Sequence, residues 1–168
     1  MAQDETGRTA PNGSSDAVAP ERPQLHLNAQ YVTDLSFENP RAPQTLLQPK
    51  GQPEVSVEVD VKARNLGPEL YEVLLKLAAE AKIEGEAVFI VEVTYAGVVT
   101  IRNASPEMIS ALLFIETPRL LFPFARSIIS AATRDGGFPP LLVNPIDFAD
   151  LLRRQQAGAA KSGEVATA

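Results

Sequence analysis

The feature that most constrains the fold is a strict alternation of apolar and polar residues from Glu54 to Arg64. Apolar side chains stand at every second position of this stretch: Val55, Val57, Val59, Val61 and Ala63. Side chains two residues apart point to the same face of a β-strand, so the stretch predicts a strand with one buried and one wet face. Residues 24–39 and 87–101 show the same period, which Val32 interrupts in the first of them. The pattern therefore predicts a sheet that is covered on one face.

Residues 70–83 fit two patterns. Leu70, Val73 and Leu74 have helical spacing, whereas Tyr71, Val73 and Leu75 begin a strand alternation that continues to Ile83. The short connection Glu84-Gly85-Glu86 has the length of a hairpin turn, which favours a strand. Four strands joined by short turns and one proline-rich loop predict an antiparallel meander.

The second half of the chain has helical signals. Ser105 can cap a helix that has Pro106 at its first position, and Thr117-Pro118 predicts a restart with a new cap. Asp135-Gly136-Gly137 predicts the end of this second helix, and residues 144–147 begin another. The fold class is therefore α+β, with a four-stranded antiparallel sheet followed by helices packed on one face. The predicted domain covers residues 24–157, between disordered tails at 1–23 and 158–168.

Composition and charge exclude several classes of protein. The net charge is −6 and the pI is about 4.8, which argues against nucleic acid and anionic membranes as partners. Nine acidic and four basic residues lie between Glu54 and Glu92, so the uncovered face of the sheet should be acidic. There is no cysteine, the N-terminus lacks a signal-peptide pattern, and no window is predicted to reach the length of a membrane span. These observations predict a cytoplasmic location and no membrane insertion.

Residues suited to catalysis are scarce. His26 is the only histidine and has no triad motif around it, and no His/Cys cluster could hold a metal. Asp34 and Glu38 share a strand face but lie roughly 13 Å apart by strand rise, too far for a retaining carboxylate pair. We therefore expect no enzyme activity, metal or cofactor. A carrier or enzyme that holds a small apolar ligand between helix and sheet remains the alternative.

Three features instead suggest binding of extended apolar chain. Ile90 stands beside Glu92 on an acidic face, Leu46 and Leu47 lie in a proline-rich loop, and Phe138 lies between two glycines and two prolines. Each also has a plain interpretation, as an isolated surface residue or as core packing. The apolar faces of strands and helices are generous for roughly 130 ordered residues, which favours an oligomer.

The motifs L-F-P-F-A-R, G-G-F-P-P-L and N-P-I-D-F, between residues 117 and 148, resemble those of the SecB protein-export chaperones, and the resemblance extends over residues 24–156. It implies a cytoplasmic holdase without nucleotide chemistry. Such a chaperone binds unfolded precursor proteins, keeps them competent for translocation and delivers them to the SecA motor. The resemblance also implies a homotetramer built as a dimer of dimers.

The resemblance also implies roles for individual residues. The motifs Y-V-T-D-L-S-F-E and F-I-V-E-V place the SecA contact at Asp34, Glu38, Ile90 and Glu92. The client groove matches Leu46, Leu47, Phe89, Val91 and Phe138. The oligomer interface matches Val91, Val93 and Tyr95, so groove and interface overlap in this prediction.

Overall fold

The computed structural model describes residues 22–48 and 51–164, and its sheet has four antiparallel strands. The strands are β1 (Gln24–Glu38), β2 (Glu54–Gly67), β3 (Leu70–Ile83) and β4 (Glu86–Arg102), in the spatial order β1-β4-β3-β2. The predicted meander is right for β2 to β4 and wrong for β1, which pairs with β4. Residues 39–53 are long enough to carry the chain from one edge of the sheet to the other, which a tight turn could not do.

The strand interpretation of residues 70–83 is confirmed, and so is the hairpin that follows. Ile83 pairs with Glu86, and the two residues between them have positive φ, 53° at Glu84 and 82° at Gly85. Two successive positive φ angles define the two-residue turn whose twist matches that of antiparallel strands. The apolar residues of this segment fit a helix and a strand equally well, and the short connection after it correctly indicates a strand.

Strand β1 departs from its predicted alternation because it contains two bulges, between Leu27 and Ala29 and between Val32 and Asp34. Each bulge inserts one residue without a partner and reverses the phase of the strand. Between them, Tyr31 pairs with Ala96 on the uncovered face, whereas Val32 pairs with Tyr95 on the helix-covered face. The interruption at Val32 therefore marks this phase reversal. An unbroken alternation with Leu25 and Leu27 predicts an inward Tyr31, which is wrong.

The helices form one layer on the sheet. A short helix, α1 (Gln44–Leu47), lies in the loop after β1, and α2 (Pro106–Ala111) begins at Ser105, whose Oγ accepts the Met108 N–H at 3.3 Å. A π-helical turn at Leu112–Glu116 joins α2 to α3 (Thr117–Asp135), and α4 (Phe148–Glu164) follows.

The predicted restart at Thr117 is wrong, because the helix is continuous. The Thr117 side chain does not cap a new segment but donates its hydroxyl hydrogen to the Leu112 carbonyl at 2.8 Å. Pro118 has no N–H to donate, and the wider π turn just before it accommodates the change in bonding. The residues chosen as a start signal therefore lie inside a single long helix.

The joined helix, Pro106–Asp135, corrects the expectation about membrane-length segments. It is long and apolar enough to cross a membrane by length and composition alone. In the structure it lies along β3 and β4, and three of its own residues, Leu121, Ala125 and Ile129, are fully buried. A helix that packs on a sheet satisfies the same criteria of length and composition, so these two criteria do not distinguish a core helix from a membrane span.

The core lies between this helix and the odd-numbered residues of β4. Gly97 marks a close approach of helix and sheet, since a Cβ built there would lie 2.8 Å from Leu121 Cδ2. Of the predicted tails, residues 1–21 lie outside the described residues, and α4 extends through part of the other, to Glu164. The disorder of the two tails stays a prediction.

Candidate functional site

The two glycines at the end of α3 close the helix and make room for neighbouring side chains. The Phe138 N–H donates to the Thr133 carbonyl at 3.1 Å and the Gly137 N–H to the Arg134 carbonyl at 3.0 Å, which together form a Schellman motif. Gly137 has the positive φ, 90°, that this motif requires. Gly136 has an ordinary helical φ of −74°, but a Cβ built on it would overlap the ring of Phe37. The Gly-Gly sequence is therefore needed for packing as well as for the turn.

Three aromatic rings meet beside this helix end. Phe89 on β4 lies 5.0 Å from Phe138 and 6.0 Å from Phe37 on β1, measured between ring centroids. Leu46 of α1 packs over Gly137, where a Cβ would lie 3.1 Å from its Cδ2. Strand β1, the loop after it, β4 and the end of α3 thus converge on one aromatic cluster.

Two of these rings, Phe89 and Phe138, line an open groove of about 780 Å³. Phe89 and Phe138 line this groove, whereas Leu46 packs against Gly137 and is not among the lining residues. Leu47 is 76% exposed and does not line the groove, and Val91 is fully buried in the core. The structure therefore brings two of the five residues predicted for client binding to one groove, and the client-binding role of all five stays a prediction.

Several lining residues were missed by the sequence reasoning. Apolar walls come from the start of β2, the β3–β4 hairpin and the loop after α3: Val55, Ile83, Val88, Pro139, Pro140 and Leu141. The rim is polar and includes Arg41, which forms an ion pair with Glu86 across the groove entrance. Strand alternation marks Val55 and Ile83 as inward-facing, but only the strand order shows that β2 and β4 enclose one groove.

The opposite face of the sheet carries the predicted acidic surface. In the β1–β4 register, Glu38 pairs with Ile90, Ser36 with Glu92 and Asp34 with Thr94. Directly paired residues share a face, and these are on the side away from α3. The four residues predicted to contact SecA are thus confirmed to lie on one face, although their role stays a prediction.

A basic side chain interrupts this acidic face. The Lys76 Nζ lies 2.8 Å from a Glu92 carboxylate oxygen. The hydrogen bond to Glu92 and its negative charge raise the pKa of Lys76, with smaller contributions from Asp34 and Asp60. Lys76 therefore neutralises part of the Glu92 charge. Asp34 and Glu38 form no ion pair among the described residues, so they contribute more negative charge to this face than Glu92 does.

The sequence reasoning also missed a polar cluster that spans the sheet. The Tyr31 hydroxyl of β1 donates to Glu72 of β3, which also accepts from Arg64 of β2. The small Ala96 on the intervening strand lets the tyrosine reach across. The hydrogen bond from Arg64, and then that from Tyr31, lower the pKa of the nearly buried Glu72 carboxyl. The cluster fixes β1 to the rest of the sheet at its bulged segment.

The residues predicted for an oligomer interface lie mostly inside the chain. Val91 and Val93 are fully buried, so they cannot contact a second copy directly in this conformation. Tyr95 is 7% exposed and stacks on Phe124 of α3 with ring centroids 6.0 Å apart. Phe124 and Leu120, one helical turn apart, are 46% and 47% exposed. The exposed apolar surface in this region therefore belongs to α3 and also to β1, where Val32 and Leu35 pair with Tyr95 and Val93 and are 43% and 49% exposed.

Among the residues that the structure describes, no metal-binding group forms around His26. His26 lies at the start of β1 beside Gln24 and Asn28, with Thr100 and Arg102 on the adjacent strand. Within residues 22–48 and 51–164, no group of three His, Cys, Asp or Glu side chains is placed to hold a metal ion. The groove and the acidic face are thus the two surfaces on which functional interpretation rests.

Comparison with known proteins identifies the class. The fold is similar to that of a SecB-like chaperone of Mycobacterium tuberculosis, solved in complex with a ChAD peptide from the HigA1 antitoxin. That chain aligns with a TM-score of 0.61 and 14% identity, over 73% of this chain and 90% of its own. The likeness shows a shared fold, that of the SecB-like chaperones.

The particular family follows from sequence. The model of the family described as preprotein translocase subunit SecB matches residues 19–159. The protein-export protein SecB of Rhodospirillum centenum is 48% identical over 95% of this chain and 98% of its own length. That of Paramagnetospirillum magneticum is 50% identical over 85% of this chain and 94% of its own. The chain belongs to the SecB family and is a protein-export chaperone.

Proposed function

We propose that this chaperone holds unfolded precursor polypeptides in the aromatic groove and passes them to SecA through the acidic sheet face. The observation that carries the proposal is the open groove of about 780 Å³ floored by Phe89 and Phe138. Apolar side chains of an extended chain can enter such a groove, whereas a folded protein has already buried its own. Selective binding of the unfolded state delays folding by mass action. No covalent step or nucleotide is needed for this activity.

A calorimetric titration with one slow-folding polypeptide, presented first unfolded and then folded, tests the client half of the proposal. We expect binding of the unfolded form alone. Phe138→Ala should weaken this binding, because it removes one wall of the groove. Leu66→Ala is the matched control, since Leu66 is an exposed apolar residue on the β2–β3 hairpin. Binding of neither form would refute the proposal, and a small apolar ligand would then be the better candidate for the groove.

The docking half of the proposal rests on charge. Asp34, Glu38 and Glu92 share one sheet face with Ile90, and such a surface attracts a basic partner in a salt-dependent way. Glu92→Lys should weaken SecA binding and leave client binding intact. Glu116→Lys makes the same change of charge on the helical layer and should have no effect. Equal SecA affinity for wild type and Glu92→Lys would contradict the docking assignment.

We further propose that the chain forms a homotetramer in the cytoplasm, where precursors must be bound before they reach the translocase. The exposed Leu120 and Phe124 on α3 support self-association, because apolar side chains one turn apart form a stripe that a second copy can cover. In this proposal the buried Val91 and Val93 act indirectly, by supporting the helix that carries this stripe.

A further inference from the structure

We propose that Thr133 is a positioning residue whose hydroxyl holds one wall of the groove in place. The wall is the segment Phe138–Leu141, whose side chains line the groove together with Phe89. Its effect on client binding rests on the proposed function of that groove. Its effect on the wall itself does not, and can be measured separately.

The backbone chemistry of the wall gives Thr133 this role. The segment Phe138-Pro139-Pro140-Leu141 has only two backbone N–H groups, because proline has none. The Phe138 N–H donates to the Thr133 carbonyl at 3.1 Å, and the Leu141 N–H donates to Thr133 Oγ1 at 2.9 Å. Both donors of the wall therefore end on one residue.

Thr133 is itself held rigidly. Its side chain is fully buried, and its hydroxyl hydrogen points to the backbone carbonyls of Ile129 at 3.0 Å and Ser130 at 3.1 Å. The hydroxyl thus donates to the helix and accepts from the wall. This arrangement fixes the direction of the oxygen lone pairs that meet Leu141.

The two attachments differ in what a side-chain change can remove. The bond from Phe138 is part of the Schellman motif and uses the backbone carbonyl, so every residue at position 133 can accept it. The bond from Leu141 depends on the hydroxyl. Loss of this bond should release the Leu141 end of the wall, while the end at Phe138 stays attached to the helix. The two prolines have no N–H groups, so neither can form a bond that replaces the lost one.

Substitution at Thr133 isolates this contribution. Thr133→Val replaces the hydroxyl by a methyl group of similar size, and Thr133→Ser keeps the hydroxyl. Thr133→Ala removes the hydroxyl without adding bulk, so the test does not depend on the folding of the valine variant. Thr117→Val is the control, because Thr117 is equally buried and its hydroxyl bonds to Leu112 at the π-helical turn.

The first measurement is amide hydrogen exchange of the full-length protein, read by mass spectrometry on peptides that span the wall. The two prolines carry no amide proton, so Leu141 contributes a large share of the signal. Loss of one hydrogen bond of about 1–1.4 kcal/mol corresponds to about 5- to 10-fold faster exchange. We expect that increase in Thr133→Val and Thr133→Ala, with Thr133→Ser and Thr117→Val close to wild type. Unchanged exchange in both variants without the hydroxyl would overturn the proposal.

The second measurement is the Kd for an unfolded polypeptide, by calorimetry on the same variants. We expect about 5- to 10-fold weaker binding without the hydroxyl and recovery in Thr133→Ser. Faster exchange with an unchanged Kd would overturn the role in binding, provided that Phe138→Ala weakens binding. If wild type does not bind unfolded chain, the proposed function fails, and the exchange data still decide the position of the wall.

Discussion

Replacing Gly136 by alanine should destabilise the protein even though the backbone there suits alanine. Gly136 has φ −74° and ψ −2°, a helical conformation in which Gly→Ala normally stabilises by about 0.4–1 kcal/mol. The added Cβ, however, would overlap two carbons of the Phe37 ring and lie 3.0 Å from a third. Carbon atoms pack best at about 3.5–4.0 Å, so the ring has to move.

The magnitude depends on how freely Phe37 can move. Phe37 contacts both Phe89 and Phe138, with centroids 6.0 and 6.4 Å away, so a shift of its ring disturbs the whole cluster. Overpacking of this kind costs about 1–3 kcal/mol. After the backbone gain is subtracted, we expect a net loss of about 1–2 kcal/mol, or a fall in Tm of about 2–8 °C for a chain of this size.

A double-mutant cycle distinguishes ring overlap from a general effect at the helix end. Thermal and urea unfolding, followed by circular dichroism, are compared for Gly136→Ala, Phe37→Leu and the combination. With the ring removed, Gly136→Ala should become neutral or stabilising, giving a coupling energy of about 1 kcal/mol or more. A stabilising Gly136→Ala in the wild-type background, or the same loss with and without the ring, would refute the reasoning.

Three further outcomes are expected. Because the folded state lowers the pKa of Glu72 below its ordinary 4.5, its stabilisation is present above that value and is lost as pH falls through the folded pKa. Glu72→Gln should therefore flatten the pH dependence of stability between neutral and acidic pH, and an unchanged acid transition would contradict this. Phe124→Arg should lower the mass measured by light scattering while Leu66→Arg, at a site of similar exposure, leaves it unchanged; equal masses would exclude the α3 stripe as an interface. Asp147 accepts the N–H groups of Ala149 and Asp150 at 3.0 Å, so Asp147→Ala should cost about 0.5–2 kcal/mol and speed amide exchange in the first turn of α4, and unchanged exchange would show that the cap is dispensable.

Much of the sheet follows from local pattern. The alternation from Glu54 to Arg64 and the two-residue turn at Glu84-Gly85 correctly predict strands, because side-chain period and turn geometry are short-range properties. The position of β1 beside β4 was not predicted, since strand order depends on where a long loop carries the chain. The continuous helix was missed for a similar reason, because Thr117-Pro118 can stand equally at a helix start or directly after a π turn inside one helix.

The candidate site, like the fold, was predictable from local pattern only in part. Asp34, Glu38, Ile90 and Glu92 were correctly placed on one face, because the two bulges of β1 both precede Asp34 and their phase changes cancel. The burial of Val91 and the exposure of Leu47 depend on how the helix and the loop lie on the sheet. No local pattern encodes that arrangement. Tyr31, Glu72 and Arg64 meet only after three strand pairings are formed, so their cluster has no signature in the sequence.

The bulges of β1 also bear on tolerance to changes in chain length. Residues 24–38 of β1 are fifteen in number and pair with the thirteen residues 90–102 of β4, so Asn28 and Thr33 are surplus to the register. Deletion of either one would leave every other side chain of the strand on its present face. Residues 70–81 of β3 have no surplus residue. A deletion there would move the side chains on one side of the deletion to the opposite face of the sheet. Relatives that are one residue shorter near position 28 or 33 can therefore keep the same acidic face, and an alignment gap there need not mark a loop.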